Sequence, residues 1–487
     1  MKHIGIIGAG LSSLYAACKL GKSGYRVTVF EKNSQVGGRS QTFHEKGFTF
    51  DMGPSWYWMP ELIDRMFEEL GENREDYYKL TRLDPSYRVF WENVEKTDVP
   101  AKMEELKSLF DSFEEKGGEK LEKFLHDASV KYKVAVEEFL ENPGLSIGEL
   151  LKVNALTKAL KLDVFKSVER DVYKRFKSKK ARSILTFPVL FLGAMPDKIP
   201  SLYTMMNYAD LSLGTWYPEG GMSALAKALQ KIAEANNVTF HMNASVERIE
   251  DVEGHADAIW VDGERHKFDA VISGADYHHT EQTLIAEKYR KYTNNYWDSR
   301  KLAPSSLIFY LGVNKKVAGL KHHNLFFDED LKMHGKRIYD NPGWPEKPLF
   351  YVCAPSITDA DVAPKGNENL FILVPVAPDL KDDNETREKY LQIILNRIKE
   401  HTGTDISEDI IYKRSFCVTD FKSEYNAYKG NAYGLANTLN QTANLKPKIK
   451  SQMKHMYFCG QLTVPGPGVP PALISGKIAA NLAMKEL

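Results

Sequence analysis

The sequence predicts an α/β protein in which a Rossmann-like nucleotide-binding domain is interleaved with a second domain of mixed sheet and helices. The first observation is an apolar β run at Ile4–Ile7, a glycine turn, a small-residue helix at Leu11–Lys22 and a second β run at Arg26–Phe30. The second is the return of buried β runs late in the chain, among them Met456–Cys459. The third is the length of 487 residues, enough for about three domains.

The glycine turn has the residue types that a bound pyrophosphate requires. Gly8 lets the chain turn sharply, Gly10 lets a pyrophosphate approach the backbone, and the helix N-terminus offers free N–H groups. Glu31, at the tip of the second β run, is placed to accept hydrogen bonds from a ribose. Ser13 departs from the pattern at its third glycine. A glycine turn in an ordinary α/β sheet is the alternative. The candidate contacts here are Gly8, Gly10, Leu11, Ser12, Ser13, Glu31 and Lys32.

The residues after Glu31 narrow the nucleotide to FAD. Val36-Gly37-Gly38-Arg39-Ser40 resembles the second half of the FAD fingerprint of the amine-oxidase-like flavoprotein superfamily. The guanidinium of Arg39 can pair with a diphosphate, whereas a solvated surface arginine is the alternative reading. The stretch Gly47–Pro54 predicts a short strand that enters a loop. The further candidate contacts are Gly37, Gly38, Arg39, Ser40, Gly53, Pro54 and Ser55.

Composition excludes several other classes of protein. With 65 basic and 65 acidic residues the chain has no charge excess that would favour nucleic acid. Its four cysteines are far apart, without the spacing of a zinc site or a disulfide framework, which suits a reducing cytosol. We find no signal peptide before the first β run. The longest apolar stretch, Ile184–Met195, is short and contains Pro188, so we do not expect it to span a membrane.

A basic helical stretch at Leu150–Arg182 precedes that apolar segment. Lysines beside an exposed apolar segment are typical of a membrane-surface site, and a solvated helix face followed by a core segment is the alternative. The basic residues are Lys152, Lys158, Lys161, Lys166, Arg170, Lys174, Arg175, Lys177, Lys179, Lys180 and Arg182. Upstream, the aromatic run Ser55–Pro60 favours either the wall of an apolar pocket or a core.

Two later blocks return to the nucleotide-binding domain. The β runs from Val238 to Ser273, with an Asp262-Gly263 turn, end at Gly274-Ala275-Asp276. Near the end, Met456–Cys459 leads through a proline–glycine loop into a helix from about Pro470 to Met484, whose N-terminus can face a flavin ring. The candidate contacts in these blocks are Gly274, Asp276, Gly460, Gln461, Gly468, Val469 and Pro470. Between the blocks, β runs and a helix at about Glu385–Thr402 belong to the second domain.

The chain is identified as a member of the bacterial-type phytoene desaturase family of carotenoid desaturases, in that superfamily. The resemblance rests on GIIGAGLSSLYAACKL, VFEKNSQVGGRSQTF, GFTFDMGPSWYWMP, SLYTMMNYADLSLGTWYPEGGMSAL, FDAVISGAD, Tyr425–Gly434 with Gln441 and Thr442, and YFCGQLTVPGPGVPPALISGKIAA. It implies a glutathione-reductase-like flavoprotein fold with a discontinuous FAD-binding domain over residues 1–75, 215–285 and 430–487. The substrate domain would take 76–214 and 286–429, with a membrane-associating part at about 145–214.

The resemblance also implies an activity. The expected enzyme uses FAD without nicotinamide to insert double bonds into a long apolar polyene, with phytoene to lycopene as the leading case and 1-hydroxycarotenoid 3,4-desaturation as the alternative. Electrons would pass to oxygen or a quinone, at the inner face of the cell membrane. The resemblance places Val246 against the adenine through its backbone. Many members of the superfamily carry an acid after this glycine, so Gln461 departs from the pattern at the position expected to contact the ribityl chain.

No catalytic triad or metal cluster is expected, because the flavin supplies the chemistry and the protein supplies a dry tunnel. The resemblance aligns Glu149 and Lys152 with an acidic–basic pair considered for catalysis, and a surface salt bridge one turn apart is the alternative. The pairs His278-His279 and His322-His323 are not expected to bind metal, because neighbours on a strand point to opposite faces. Two other hypotheses remain: an amine oxidase or protoporphyrinogen oxidase-like flavoenzyme, and a non-enzymatic protein like the GDP dissociation inhibitors.

Overall fold

The computed structural model describes residues 1–143, 166–438, 441–442 and 445–487. Its strands are β1 His3–Ile7, β2 Arg26–Phe30, β3 Thr42–Glu45, β4 Phe48–Asp51, β5 Leu80–Arg82, β6 Tyr87–Phe90, β7 Lys96–Val99, β8 Trp216–Pro218, β9 Val238–His241, β10 Val246–Val252, β11 His255–Val261, β12 Glu264–Lys267, β13 Ala270–Ser273, β14 Ser305–Val313, β15 His323–Phe326, β16 Phe350–Cys353, β17 Glu368–Val376, β18 Ile410–Phe416 and β19 Met456–Phe458.

The longer helices of this part are Leu11–Lys22, Pro60–Glu69, Met103–Phe113, Gly117–Val134, Val168–Arg175, Lys179–Thr186, Met205–Leu211, Ser223–Glu234, Asn294–Ser299, Leu331–Tyr339, Asn384–Thr402, Val418–Tyr425 and Val469–Glu486. The first helix has the bounds that the sequence predicted. Glu149 and Lys152, the predicted catalytic pair, lie outside the described residues.

A five-stranded parallel sheet forms the nucleotide-binding half of the molecule, in the order β19-β13-β1-β2-β9. Its strands come from three distant stretches of the chain, and their apolar residues are buried on both faces, as a parallel sheet requires. Parallel strands place their carboxyl ends at one edge. That edge therefore brings together the residues that follow four of the strands, Gly8, Glu31, Gly274 and Gly460.

Two close helix contacts hold the first helix, Leu11–Lys22, in place. A Cβ at Gly476 of the terminal helix would lie 1.9 Å from the Ser12 carbonyl oxygen, so only glycine lets the two helices pack this closely. A Cβ at Gly274 would lie 2.0 Å from the Ser13 hydroxyl oxygen. Gly274 has no side chain and so leaves room for the Ser13 hydroxyl. A serine can therefore stand at the third position of the glycine fingerprint.

The second half is built on a seven-stranded sheet in the order β18-β14-β17-β16-β15-β6-β7. Its pairs are antiparallel except for β15 with β6. The nine residues of β14 are all buried, and the apolar residues of the helix Asn384–Thr402 pack in the same core. The predicted β runs and helix of this region are confirmed within a few residues.

A three-stranded antiparallel sheet, β10-β11-β12, contains a strand that the sequence prediction missed. The Asp262-Gly263 turn leads into β12, whose residues are Glu264, Arg265, His266 and Lys267, and not directly into β13 as predicted. A run of four polar residues has no apolar alternation, so its hydrophobic pattern could not indicate a strand.

The apolar segment Ile184–Met195 is largely buried, contrary to the exposed face that the membrane-surface prediction required. Ile184, Leu185 and Val189 are 0 % exposed. The described basic side chains before it include Arg175, which pairs with Asp127, and Lys179, which pairs with Glu92. For residues 166–195 the alternative of a solvated face followed by a core segment fits. The rest of the basic stretch, residues 150–165, lies outside the described residues, and membrane association stays a prediction. None of the helices in the described ranges combines the length and apolarity that a membrane crossing needs.

Candidate functional site

A cavity of about 540 Å³ runs from the carboxyl edge of the parallel sheet into the second half of the molecule. Its wall includes every predicted contact residue except Ser13, which packs behind the wall against Gly274. The predicted residues on the wall are Gly8, Gly10, Leu11, Ser12, Glu31, Lys32, Gly37, Gly38, Arg39, Ser40, Gly53, Pro54, Ser55, Val246, Gly274, Asp276, Gly460, Gln461, Gly468, Val469 and Pro470.

Glu31 is fixed by the backbone of the glycine turn. Its carboxylate accepts hydrogen bonds from the Ala9 N–H at 2.7 Å and the Asn33 N–H at 2.8 Å. The side chain is 5 % exposed, and burial raises its pKa, while the hydrogen bonds from the backbone oppose that shift. Each carboxylate oxygen can accept a second hydrogen bond, so the group remains able to hold a ribose diol.

The two glycine loops of the fingerprint lie against each other. Gly37 donates its N–H to the Ala9 carbonyl oxygen at 2.7 Å, and a Cβ at Gly38 would lie 3.2 Å from the Gly10 Cα atom. In front of Gly10 the space is open, with no heavy atom within 4 Å of the position that a Cβ would take. Together with the N-terminus of the following helix, this open backbone surface fits a pyrophosphate.

Arg39 carries the positive charge of this wall. Its Nε atom is buried without a hydrogen-bond partner, and its guanidinium lies 5.2 Å from the centre of the Tyr425 ring. The surface alternative for Arg39 is therefore wrong. Asp276 faces the same region, and burial raises its pKa to about 6, partly offset by backbone N–H donors and by Arg39. An unpaired guanidinium N–H beside open backbone is what a diphosphate would satisfy.

Gln461 follows Gly460, where the resemblance predicts an acid. In the amide orientation that satisfies its neighbours, its oxygen accepts from Arg39 Nη2 at 3.1 Å and its nitrogen donates to the Ala432 carbonyl oxygen at 3.1 Å. The residue therefore orients Arg39. Beyond it, Gly468 precedes the 18-residue helix Val469–Glu486, whose first residues line the cavity, so the positive end of its dipole faces the interior.

The far part of the cavity is apolar. The segment predicted to contact a membrane supplies part of this wall, and the aromatic run supplies Trp56 and Trp58, whereas Tyr57 points into the core. The pocket-wall interpretation of the aromatic run is therefore correct for Trp56 and Trp58, and the core interpretation is correct for Tyr57. Apolar residues of this wall are Trp56, Trp58, Met59, Phe187, Leu190, Leu192, Met195, Met205, Met206, Leu325, Phe327 and Ile338.

One polar patch interrupts the apolar wall. The hydroxyl of Tyr351 donates to Ser55 Oγ at 3.0 Å and also bonds to His323 Nδ1 at 2.6 Å. Tyr433 lies beside it; burial raises the pKa of Tyr433, and the nearby Ser306 hydroxyl opposes that shift. Tyr339 faces Tyr433 and completes what we call the hydroxyl patch: Ser55, Ser306, Tyr339, Tyr351 and Tyr433. Sequence reasoning missed it, because single tyrosines scattered over distant elements give no spacing signal.

The second histidine pair lies behind this patch. His322 precedes β15, and its ring centre is 4.5 Å from that of His323, so the expectation that the two rings point apart is wrong. A ring nitrogen of each histidine and the Sγ of Cys353 lie within 4.8 Å of one another. Burial raises the pKa of the Cys353 thiol to about 12, and His322 Nδ1 bonds to Thr358 Oγ1 at 2.8 Å. The absence of a metal stays a prediction.

Comparison with known proteins decides the family. The family model for flavin-containing amine oxidoreductases matches residues 9–484. The chain is 38 % identical to the carotenoid 3,4-desaturase of Haloarcula japonica, over 100 % of this chain and 99 % of that protein. It is 31 % identical to the 4,4'-diapophytoene desaturase (4,4'-diaponeurosporene-forming) of Staphylococcus haemolyticus, over 99 % of both chains.

The chain belongs to the flavin-containing amine oxidoreductase family. Within it, the two desaturases above place the chain among the carotenoid desaturases. Solved structures share the fold: an oxidoreductase from Methanosarcina mazei has a TM-score of 0.62 at 18 % identity, over 98 % of this chain and 99 % of that one. A putative protoporphyrinogen oxidase from Exiguobacterium has a TM-score of 0.63 at 14 % identity, over 100 % and 99 %.

The flavoenzyme uses FAD as its cofactor. The site fits FAD on three observations: the open backbone before Gly10, the unpartnered Nε of Arg39 and the carboxylate of Glu31. When bound, FAD supplies the two-electron oxidation. The chain's residues hold and orient the cofactor, and the apolar wall excludes water from the far part of the cavity. The chain is thus an FAD-dependent oxidoreductase.

Proposed function

We propose that this flavoenzyme is a carotenoid desaturase that removes hydrogen from a CH–CH bond of a long polyene. The observation that carries the proposal is the continuity of one cavity, from the glycine fingerprints through to a wall of tryptophans, methionines and leucines. An ammonium substrate bound through an ion pair would need a carboxylate on that wall. The acids lining the cavity, Glu31, Asp276 and Glu424, lie with the fingerprints or near Tyr425, away from the apolar wall of the described residues.

Desaturation requires a hydride to reach the flavin and a proton to leave the neighbouring carbon. The described apolar wall positions the substrate and excludes water during these steps. The predicted pair Glu149 and Lys152 stays our proposal for the group that stabilises developing charge or takes the proton. We also propose that electrons pass on to oxygen or a quinone, and that the protein meets its substrate at the cytoplasmic face of a membrane, where carotenoids reside.

Within this class we propose a hydroxylated carotenoid, desaturated at the 3,4 bond, as the substrate. The hydroxyl patch supports it, because tyrosine and serine hydroxyls on an otherwise apolar cavity wall offer hydrogen-bond partners to a substrate hydroxyl. The name of the Haloarcula japonica relative agrees with this bond position. Phytoene to lycopene is the second candidate, favoured by the predominantly apolar wall and by the name of the staphylococcal relative.

The deciding experiment presents each carotenoid in liposomes to the FAD-loaded protein under anaerobic conditions. Flavin bleaching and product absorption are followed together. We expect the 1-hydroxycarotenoid to bleach the flavin with a higher kcat/KM than phytoene. Faster turnover of phytoene would establish the second candidate, and bleaching by neither would contradict the carotenoid proposal.

Tyr433→Phe tests the role of the patch. Because a hydrogen bond contributes about 1 kcal/mol, the variant is expected to lose roughly fivefold to tenfold in kcat/KM for the hydroxylated substrate and to keep its kcat/KM for phytoene. Tyr173→Phe, at a partly exposed tyrosine, is the matched control. An equal loss for both substrates would show that Tyr433 only packs the wall.

A further inference from the structure

Lys446 is a buried lysine without a counter-ion. Its side chain is 2 % exposed, and within the described part of the chain its Nζ atom has no hydrogen-bond partner. Burial lowers its pKa to about 7, and no other titratable group there contributes to the shift. An unpaired ammonium group in a protein interior is costly, so a lysine kept in this state is expected to meet an anionic group from outside the chain.

Lys446 lies directly behind the loop that precedes the terminal helix. A Cβ at Gly466 would be 3.3 Å from Lys446 Nζ and 3.4 Å from Asn437 Oδ1, which is also buried without a partner. The neighbours of Gly466, Pro465 and Pro467, line the cavity, as Asn437 does. Thr463 Oγ1 donates to the Pro447 carbonyl oxygen at 2.6 Å and ties the lysine's segment to this loop.

The position along the cavity indicates which anionic group Lys446 meets. The diphosphate end is marked by Gly10 and Arg39, whereas the Asn437 N–H donates to the carbonyl oxygen of Leu192, on the apolar segment. Lys446 therefore lies behind Asn437 and the Gly466 loop, which form the cavity wall between the fingerprint end and the apolar end. A flavin whose diphosphate lies on the glycine loops would extend its ring toward this boundary.

We infer that Lys446 is the counter-charge for the reduced flavin ring. Accepting a hydride brings two electrons and one proton to the ring and leaves it one negative charge. A cation behind Gly466 stabilises that charge without touching the substrate, so Lys446 is a positioning and electrostatic residue. Where the amine is neutral before reduction, it takes up one proton from solvent as the ring gains its charge. The inference depends on the flavin cofactor and not on which carotenoid is oxidised.

Sulfite provides a test that needs no carotenoid. It adds to the oxidised ring of the FAD-loaded protein and leaves a negative charge on the ring, as hydride transfer does. We expect Lys446→Met to raise the sulfite Kd at pH 7 at least tenfold while the Kd for oxidised FAD changes less than threefold. Lys446→Arg should restore sulfite binding, and Lys454→Met, at an exposed lysine, should leave both constants unchanged.

The pH dependence separates a titrating amine from a fixed charge. The ratio of the wild-type to the Lys446→Arg sulfite Kd is expected to grow from pH 6 to pH 9, because the lysine loses its proton and the arginine does not. An unchanged sulfite Kd in Lys446→Met would overturn the inference. A loss of FAD affinity with unaltered sulfite binding would also overturn it, because Lys446 would then serve the diphosphate.

Wild-type protein alone gives a second measurement if the variants fold poorly. Reductive titration at pH 8 with a pH indicator should show two protons taken up per two electrons, one by the ring and one by Lys446. Uptake of a single proton would contradict the inference without bearing on the choice of carotenoid.

Discussion

Arg39 is the residue through which the protein is expected to hold the diphosphate most strongly. Its guanidinium is oriented by Gln461 and the Tyr425 ring and has a buried Nε without a partner. A charge-assisted hydrogen bond contributes about 2 kcal/mol, so Arg39→Met is expected to raise the Kd for FAD by roughly 30-fold in a fluorescence titration. The exposed Arg26→Met is the control, and an unchanged Kd would show that Arg39 acts only within the protein.

The contact between Ser13 and Gly274 makes a second prediction at this scale. Gly274→Ala places a methyl group 2.0 Å from Ser13 Oγ, so overpacking is expected to cost about 1–3 kcal/mol of unfolding free energy. Ser13→Gly alone should change the unfolding free energy little. The double variant should recover most of the stability that Gly274→Ala loses. Denaturant unfolding of the four proteins measures the coupling. A double variant as unstable as Gly274→Ala would contradict a direct clash.

Single residues differ in how far the sequence predicts them. Glu31 and the fingerprint glycines are predictable because one local unit contains the whole pattern. Tyr433 and Lys446 are not, because each acquires its role from burial beside elements distant in sequence. The replacement at Ser13 looked like a defect for the same reason, since the compensating Gly274 follows a strand more than two hundred residues later.

At the scale of elements, the helix Met205–Leu211 brings two methionines to the cavity on one side and buries Asp210 on the other. Tyr87 and Thr215 donate to the Asp210 carboxylate, and burial raises its pKa from 3.8 to about 7. The folded protein therefore holds this proton more tightly than the unfolded chain does. Its contribution to stability is complete below about pH 4 and is lost as the pH rises through 7.

Asp210→Asn removes this titration. The Tm of the wild type is expected to fall more steeply between pH 4 and pH 7 than that of the variant, and above pH 7 the variant should be at least as stable. Calorimetry across this range measures both, with the exposed Asp197→Asn as the control. Parallel Tm curves for wild type and Asp210→Asn would show that Asp210 does not titrate as described.

The elements also show what a local pattern leaves undetermined. The apolar content of Ile184–Met195 was read correctly from the sequence, but whether that face meets lipid or lines a cavity depends on what packs against it. β12 was missed because its pairing with β11, and not its own composition, makes it a strand.

For the whole molecule, the cofactor is expected to act as part of the core. The cavity that fits FAD lies at the edge of the parallel sheet and is lined by the start of the terminal helix, so bound FAD should favour the folded chain. At free FAD equal to 100 times Kd, the unfolding free energy is expected to rise by about 2.7 kcal/mol. Denaturant unfolding with and without FAD checks this. At the same FAD concentration, the unfolding free energy of Arg39→Met should rise by much less than that of the wild type.

The parallel sheet also has a consequence for synthesis of the protein. Its edge strand β19 is formed by Met456–Phe458, and the helix that closes the cavity is Val469–Glu486. A ribosome translating this chain therefore makes the other four strands of this sheet well before β13 gains its second neighbour, β19, and before the flavin pocket gains its last wall. FAD capture is therefore expected only after Val469–Glu486 has left the ribosome, and β13 remains an exposed sheet edge until β19 has been made.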